Sequence, residues 1–168
     1  MAPRPPPRAA VVALTGLAVA GALLAPSAPA LVATDLTTGR VVLCRPMTGD
    51  DTVALVFTHS MYGGDVVEEY AVTRGARLRR VAMTTANAAA AEYYAHTAGV
   101  VRDGDRFRVD VPAAEFPDLI VRVDRVGAHR LRVGAETLDL VAATGDRHRL
   151  RLVAKPLGVA RRLAGRGC

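Results

Sequence analysis

Two patterns of apolar residues divide the chain. Between Ala9 and Ala25 they cover every side of any helix, leaving no polar stripe. After Ala30 the period becomes two, the signature of strands with one face against a core. In "RFRVDV", Phe107, Val109 and Val111 take one face, and Arg106, Arg108 and Asp110 the other. "LIVRVDRV" sends Leu119, Val121 and Val123 inward. "LVATDLTTGRVVLC" reads as two runs around a Thr37-Thr38-Gly39 turn. "TVALVFTHS", "VVEEYAVT", "RLRRVAMT", "HRLRV", "ETLDL" and "HRLRLV" continue the series, with turns such as Asp103-Gly104 and Thr144-Gly145-Asp146 between them. The fold class is therefore all-β: an antiparallel β-sandwich or barrel-like domain of short strands. One stretch differs. "TTANAAAAEYYAHTAG", from Thr84 to Gly99, is Ala-rich and predicts a short helix or packed loop across one end of a sheet.

The N-terminal run reads as an address. Arg4 and Arg8 precede the apolar segment, and Ala28-Pro29-Ala30 follows it as a small-residue cleavage site. A signal peptide and a membrane anchor both fit that order, because a span needs about 20 apolar residues. Either way the basic start stays inside and the body is exported. The division is then residues 1–30 as signal or anchor helix, 31–154 as the β domain, and 155–168 as a basic, loosely ordered tail.

Charge adds one exclusion. The chain carries a net charge of +6, which by itself suggests nucleic acid. Six of the 22 basic residues sit at the ends: Arg4, Arg8, Lys155, Arg161, Arg162 and Arg166. The body keeps 16 basic and 16 acidic residues, so it is formally neutral and offers no phosphate-binding face. The two cysteines, Cys44 and Cys168, allow one disulfide. With Cys168 at the end of a Gly/Arg tail, they are read as unbridged.

Candidate chemistry gathers in "LVFTHSMYGGDVVEEY", from Leu55 to Tyr70. Gly63-Gly64 suits a two-residue hairpin turn with φ > 0 at both central positions. That turn pairs Tyr62 with Asp65, His59 with Glu68, Phe57 with Tyr70 and Leu55 with Val72. His59 and Glu68 then meet at the rim of the apolar face, with Asn87, Glu92, Tyr93 and Tyr94 placed to close over them. A Ser60–His59–Glu68 hydrolase is disfavoured, since adjacent strand residues point to opposite faces. A metal site would draw on Glu92, His96, His129 or His148, but no tight ligand spacing supports one. Two readings of the pair stay open: a satisfied structural contact and a small-ligand site. Elsewhere, Arg147, Arg149 and Arg151 read as a solvated strand face. Arg122 and Asp124 read as a surface pair on an outer face, and His129 as a turn residue.

These residues resemble a known family, the bacterial domain of unknown function 1850. Its recurring pattern is His-Ser-Val, a short turn, then Val-x-Glu, which maps onto His59-Ser60-Met61 and Val66-Val67-Glu68. Where the family often has Thr-Pro before that Val, this chain has Gly64-Asp65. Its Ser-x-Gly-Ala-Gly segment is replaced by the Ala-rich stretch around Asn87 and Glu92. The resemblance implies an exported or membrane-anchored β protein, encoded beside or fused to permease subunits of TAXI-type TRAP transporters. It implies no established activity.

The sequence thus predicts an extracytoplasmic β domain, accessory to a TAXI-type TRAP solute uptake system, with permease subunits and the membrane as partners. No catalytic residue and no cofactor are assigned. A small-ligand or metal-binding module using His59 and Glu68 is the first alternative, and an envelope enzyme the second. The candidate polar cluster is His59, Glu68, Asn87, Glu92 and Tyr94.

Overall fold

A computed structural model describes residues 29–48, 51–95 and 99–156. Most of the expected N-terminal address and of the basic tail lies outside them. Among the described residues no helix is long and apolar enough to cross a membrane.

The alternating runs become strands at the places their pattern predicts. In chain order they are β1 (Pro29–Asp35), β2 (Val41–Pro46), β3 (Thr52–Thr58), β4 (Asp65–Val72) and β5 (Leu78–Thr85). After the helix α1 (Ala88–Ala95) come β6 (Val100–Asp103), β7 (Arg106–Val109), β8 (Glu115–Phe116) and β9 (Leu119–Arg122). The chain closes with β10 (Arg130–Val133), β11 (Glu136–Asp139), a short helix α2 (Leu140–Thr144) and β12 (Arg149–Pro156). All pairings are antiparallel. One sheet has the order β2-β1-β12-β9; the other runs β11-β10-β3-β4-β5-β7-β6, with β8 also on β5. Neither sheet closes on itself, which removes the barrel alternative.

One core lies between the sheets. Leu31, Ala33, Leu150 and Leu152 from the first meet Val53, Leu55, Leu131 and Val133 from the second. Period two explains the sorting: Leu150, Leu152 and Ala154 are buried while Arg149 and Arg151 are exposed. The expected solvated arginine face is therefore present, and Arg151 pairs with Asp118 at 2.7 Å. A smaller core of Val66, Met83, Ala91, Ala95 and Val109 seats α1 against the second sheet. This is the helix expected in the Ala-rich stretch. Asn87 caps its start, its side-chain oxygen accepting from Ala89 N at 2.9 Å and Ala90 N at 3.3 Å.

The register gives the domain two poles. Pro29 pairs with Pro156, so the first and last described residues lie together at one end of the first sheet. Arg149 pairs with Arg122 at the opposite end. Cys44, in β2, is disulfide-bonded. This corrects the expectation of an unbridged thiol; Cys168 lies outside the described residues.

Candidate functional site

The opening hairpin folds in another frame than its Gly-Gly dipeptide predicts. Thr58 pairs with Asp65, Phe57 with Val66, Leu55 with Glu68 and Val53 with Tyr70. His59 therefore does not face Glu68 across the hairpin. The turn takes six residues, 59–64, instead of two. Its cause is the histidine itself. His59 Nδ1 accepts from the backbone N–H of Met61 and of Tyr62, each at 3.2 Å. Its carbonyl accepts from Gly63 N at 2.9 Å, and its N–H donates to Gly64 O at 3.0 Å. Those four bonds satisfy backbone groups that a bare loop would leave to water. Asn87 then pins the turn to α1, its side-chain NH₂ donating to Tyr62 O at 2.7 Å. Gly64 is required at that junction: its φ is +77°, and a Cβ there would stand 3.0 Å from the Asn87 Cβ.

The slip is four residues, an even number. Val53, Leu55 and Phe57 therefore still share a face with Glu68, Tyr70 and Val72. Glu68 keeps its inward side and accepts from the Tyr70 hydroxyl at 2.8 Å. Burial, together with the Glu68 charge and hydrogen bond, pushes the Tyr70 phenol far above its usual range. Tyr94 is raised too, first by burial and then by the charge of Glu68 and by Tyr93. Both phenols are therefore neutral O–H donors across the physiological range.

His59 is 6% exposed. Tyr62, Tyr93 and Tyr94 surround its ring, with centroids at 5.0, 5.2 and 5.4 Å. Because Nδ1 accepts two N–H groups, the ring proton belongs on Nε2. A cavity of about 300 Å³ opens beside it, lined also by Phe57, Arg122, Asp124 and His129. A second cavity of about 270 Å³ is lined by Glu68, Tyr70 and Leu119 and shares Phe57, Arg122 and His129 with the first. Together they form one cleft between the free edge of β9 and the β3–β4 hairpin.

Three of its residues had been assigned other roles. Arg122, expected to pair with Asp124 on an outer face, lines both cavities. The Asp124 carboxylate instead accepts from Gly127 N at 2.7 Å. His129, expected to be a simple turn residue, stacks on Phe57 at 5.7 Å with an 18° tilt. Its Nδ1 lies 3.3 Å from Asp124 N and 3.4 Å from Asp124 O, so it accepts from the first or donates to the second according to its tautomer. Their signal is long-range. The β10–β3 register, with Arg130 opposite Val56, carries His129 toward Phe57, and no local pattern encodes that pairing. Ala128, beside it, adopts φ = 44°, a left-handed conformation unusual for alanine.

Of the predicted cluster, the fold brings His59, Tyr94 and Glu68 to one cleft. Asn87 serves as the clip that holds the turn. Glu92 is exposed on α1 and lines neither cavity. His148 is elsewhere, its Nδ1 3.0 Å from the buried Asp35 carboxylate, and His96 lies outside the described residues. Among the described residues no group of three or more His, Cys, Asp or Glu side chains is arranged to hold a metal ion.

No curated protein and no solved structure matches this chain significantly. A family model does match residues 53–140, a span that holds His59, Glu68, Arg122 and His129 and slightly more than half of the sequence. The chain belongs to the family described as Domain of unknown function (DUF1850).

Proposed function

We propose that this chain is an exported, membrane-anchored binding domain that holds a small polar molecule in the cleft beside His59. The observation that carries the reading is the cleft itself. It ends on a buried imidazole whose Nδ1 is spent on the backbone and whose Nε2 has no hydrogen-bond partner among the described residues. A donor that opens onto a cleft in this way suits a ligand acceptor. The test is thermal unfolding of the full chain with a panel of small organic acids, amines and zwitterions. A true ligand stabilises by RT ln(1 + [L]/Kd), about 2.7 kcal/mol at a hundredfold excess over Kd. All four tyrosines border the cleft or pack on His59, and there is no tryptophan, so intrinsic tyrosine emission gives an independent readout. A rise in unfolding temperature that vanishes in His59→Ala is the expected result. No shift with any class, or a shift untouched by that variant, sinks the reading.

Anchoring is supported by the start of β1. Cleavage after Ala30 would remove a residue that is fully buried and paired with both Pro46 and Lys155. It would also remove Pro29, whose carbonyl accepts from Met47 N at 2.8 Å. The chain purified from membranes is accordingly expected, by intact mass, to retain the Ala9–Ala25 run; a product lacking it overturns anchoring. The association with a TAXI-type TRAP uptake system rests on the family resemblance, and co-purification of permease subunits from the same membranes checks it. With Pro29 and Pro156 at one pole, an anchor ahead of β1 would leave the cleft at the pole facing away from the membrane.

A further inference from the structure

The groups that line the cleft differ from one end to the other, and the difference specifies a ligand class. Arg122 and His129 line both cavities, whereas His59 lines only the first and Glu68 only the second. His59 has Nδ1 occupied by two backbone N–H groups, so it holds its proton on Nε2. The acid at the His59 end, Asp124, accepts from Gly127 N through Oδ1 and, as an ionised carboxylate, keeps acceptor capacity of its own. At the other end Glu68 accepts only the Tyr70 hydroxyl among the described residues. An ionised carboxylate offers about four acceptor positions, so Glu68 keeps capacity for another donor. Arg80, the cation whose charge reaches Tyr70, places its guanidinium 6.0 Å from the Phe116 ring centre and donates to Pro112 O at 3.3 Å. No ion pair with Glu68 forms among the described residues.

We propose that the cleft takes a zwitterion of the amino-acid class. Its carboxylate lies among Arg122, His59 and His129, and its ammonium on Glu68. Charge-assisted hydrogen bonds at both ends offset the desolvation that burying either charge alone would cost. Phe57, common to both cavities, supplies the apolar floor between them. This deepens the binding-domain reading and rests on it.

The experiment is titration calorimetry on the full chain with matched triples: an L-amino acid, its des-amino acid, and its decarboxylated amine. The amino acid is expected to bind at least tenfold more tightly than either half-molecule. Arg122→Gln, at an exposed position with little to disturb in the fold, should weaken the amino acid and the des-amino acid tenfold or more and leave the amine unchanged. Glu68→Gln should abolish the preference for the amino acid over its des-amino partner. If des-amino acids bind as tightly as amino acids in wild type, the zwitterion class is wrong while the binding site stands. If no member of any triple binds, the class falls; the broader panel of acids and amines then separates that failure from failure of the site itself.

Discussion

The variant Asp35→Ala is expected to lose about 2–4 kcal/mol of folding stability, measured by chemical denaturation at neutral pH. Asp35 ends β1 and is fully buried. Its carboxylate accepts from Thr37 N at 2.9 Å, from the Thr38 hydroxyl at 2.7 Å and from the His148 ring at 3.0 Å. Alanine removes three hydrogen bonds to a buried acceptor and leaves its space unfilled, while the exposed Thr37 and Thr38 regain part of their loss from water. The same site sets a pH dependence. Burial alone would raise this carboxyl, but the hydrogen bonds from Thr38, His148 and Thr37 outweigh it and hold it well below the usual carboxylate range. A lowered folded-state value means that folding favours the ionised form. The contribution is then intact above the unfolded value near ~4 and is lost as the pH falls below it. Wild type should therefore lose more stability than Asp35→Ala between pH 7 and pH 3, and equal losses would refute the assignment. Asp51 has the same sign, lowered chiefly by the Thr48 backbone N–H, but it is common to both proteins and cancels in the difference.

Gly127→Ala is the second large effect, and it reports on the cleft. A Cβ at this position would stand 2.2 Å from His129 Cε1 and 2.7 Å from its Nδ1. The ring would have to swing off Phe57 and give up its hydrogen bond with the Asp124 backbone. The backbone does not require glycine here, since Gly127 is not among the positive-φ residues. The cost is therefore steric, about 1–3 kcal/mol as for other overpacked sites. A double-mutant cycle isolates the cause. On a His129→Ala background the same substitution should cost little, because the clashing ring is gone. An equal cost on both backgrounds would mean that Gly127 serves the turn, where its carbonyl accepts from Thr58 N at 2.7 Å, and not the ring. Gly127→Ala should also remove any ligand-induced rise in unfolding temperature.

The candidate site shows where local pattern stops being informative. The spacing of His59 and Glu68 suggested a facing pair, and the Gly63-Gly64 dipeptide suggested the tight turn to make it. Turn propensity is a local quantity, and here a side chain overrode it: four hydrogen bonds at His59 outweigh the preference of two glycines. Glu68 nevertheless points where expected, because an even slip conserves faces. Glu92 was misplaced for a different reason. Ala88 to Ala91 give α1 no contrast between apolar and polar sides, so its rotation about its axis was not encoded locally and was set by packing on Val66 and Met83. Arg122 and Asp124 looked like neighbours on one face. The edge position of β9 turned the first toward the cleft, and a tight turn captured the second.

What the chain settles by itself is the alternation. In β10 and β12 the inward and outward residues follow from a period of two, and their buried Leu and Val enter the two-sheet core as its direct result. The composition of the cleft was decided only by tertiary structure. Its residues come from the turn after β3, from β4, from α1 and from the β9–β10 connection, and they meet because strands far apart in sequence pair in particular registers. Such offsets depend on loop closure and on side-chain fit across the core, quantities to which every segment contributes and which no single segment carries.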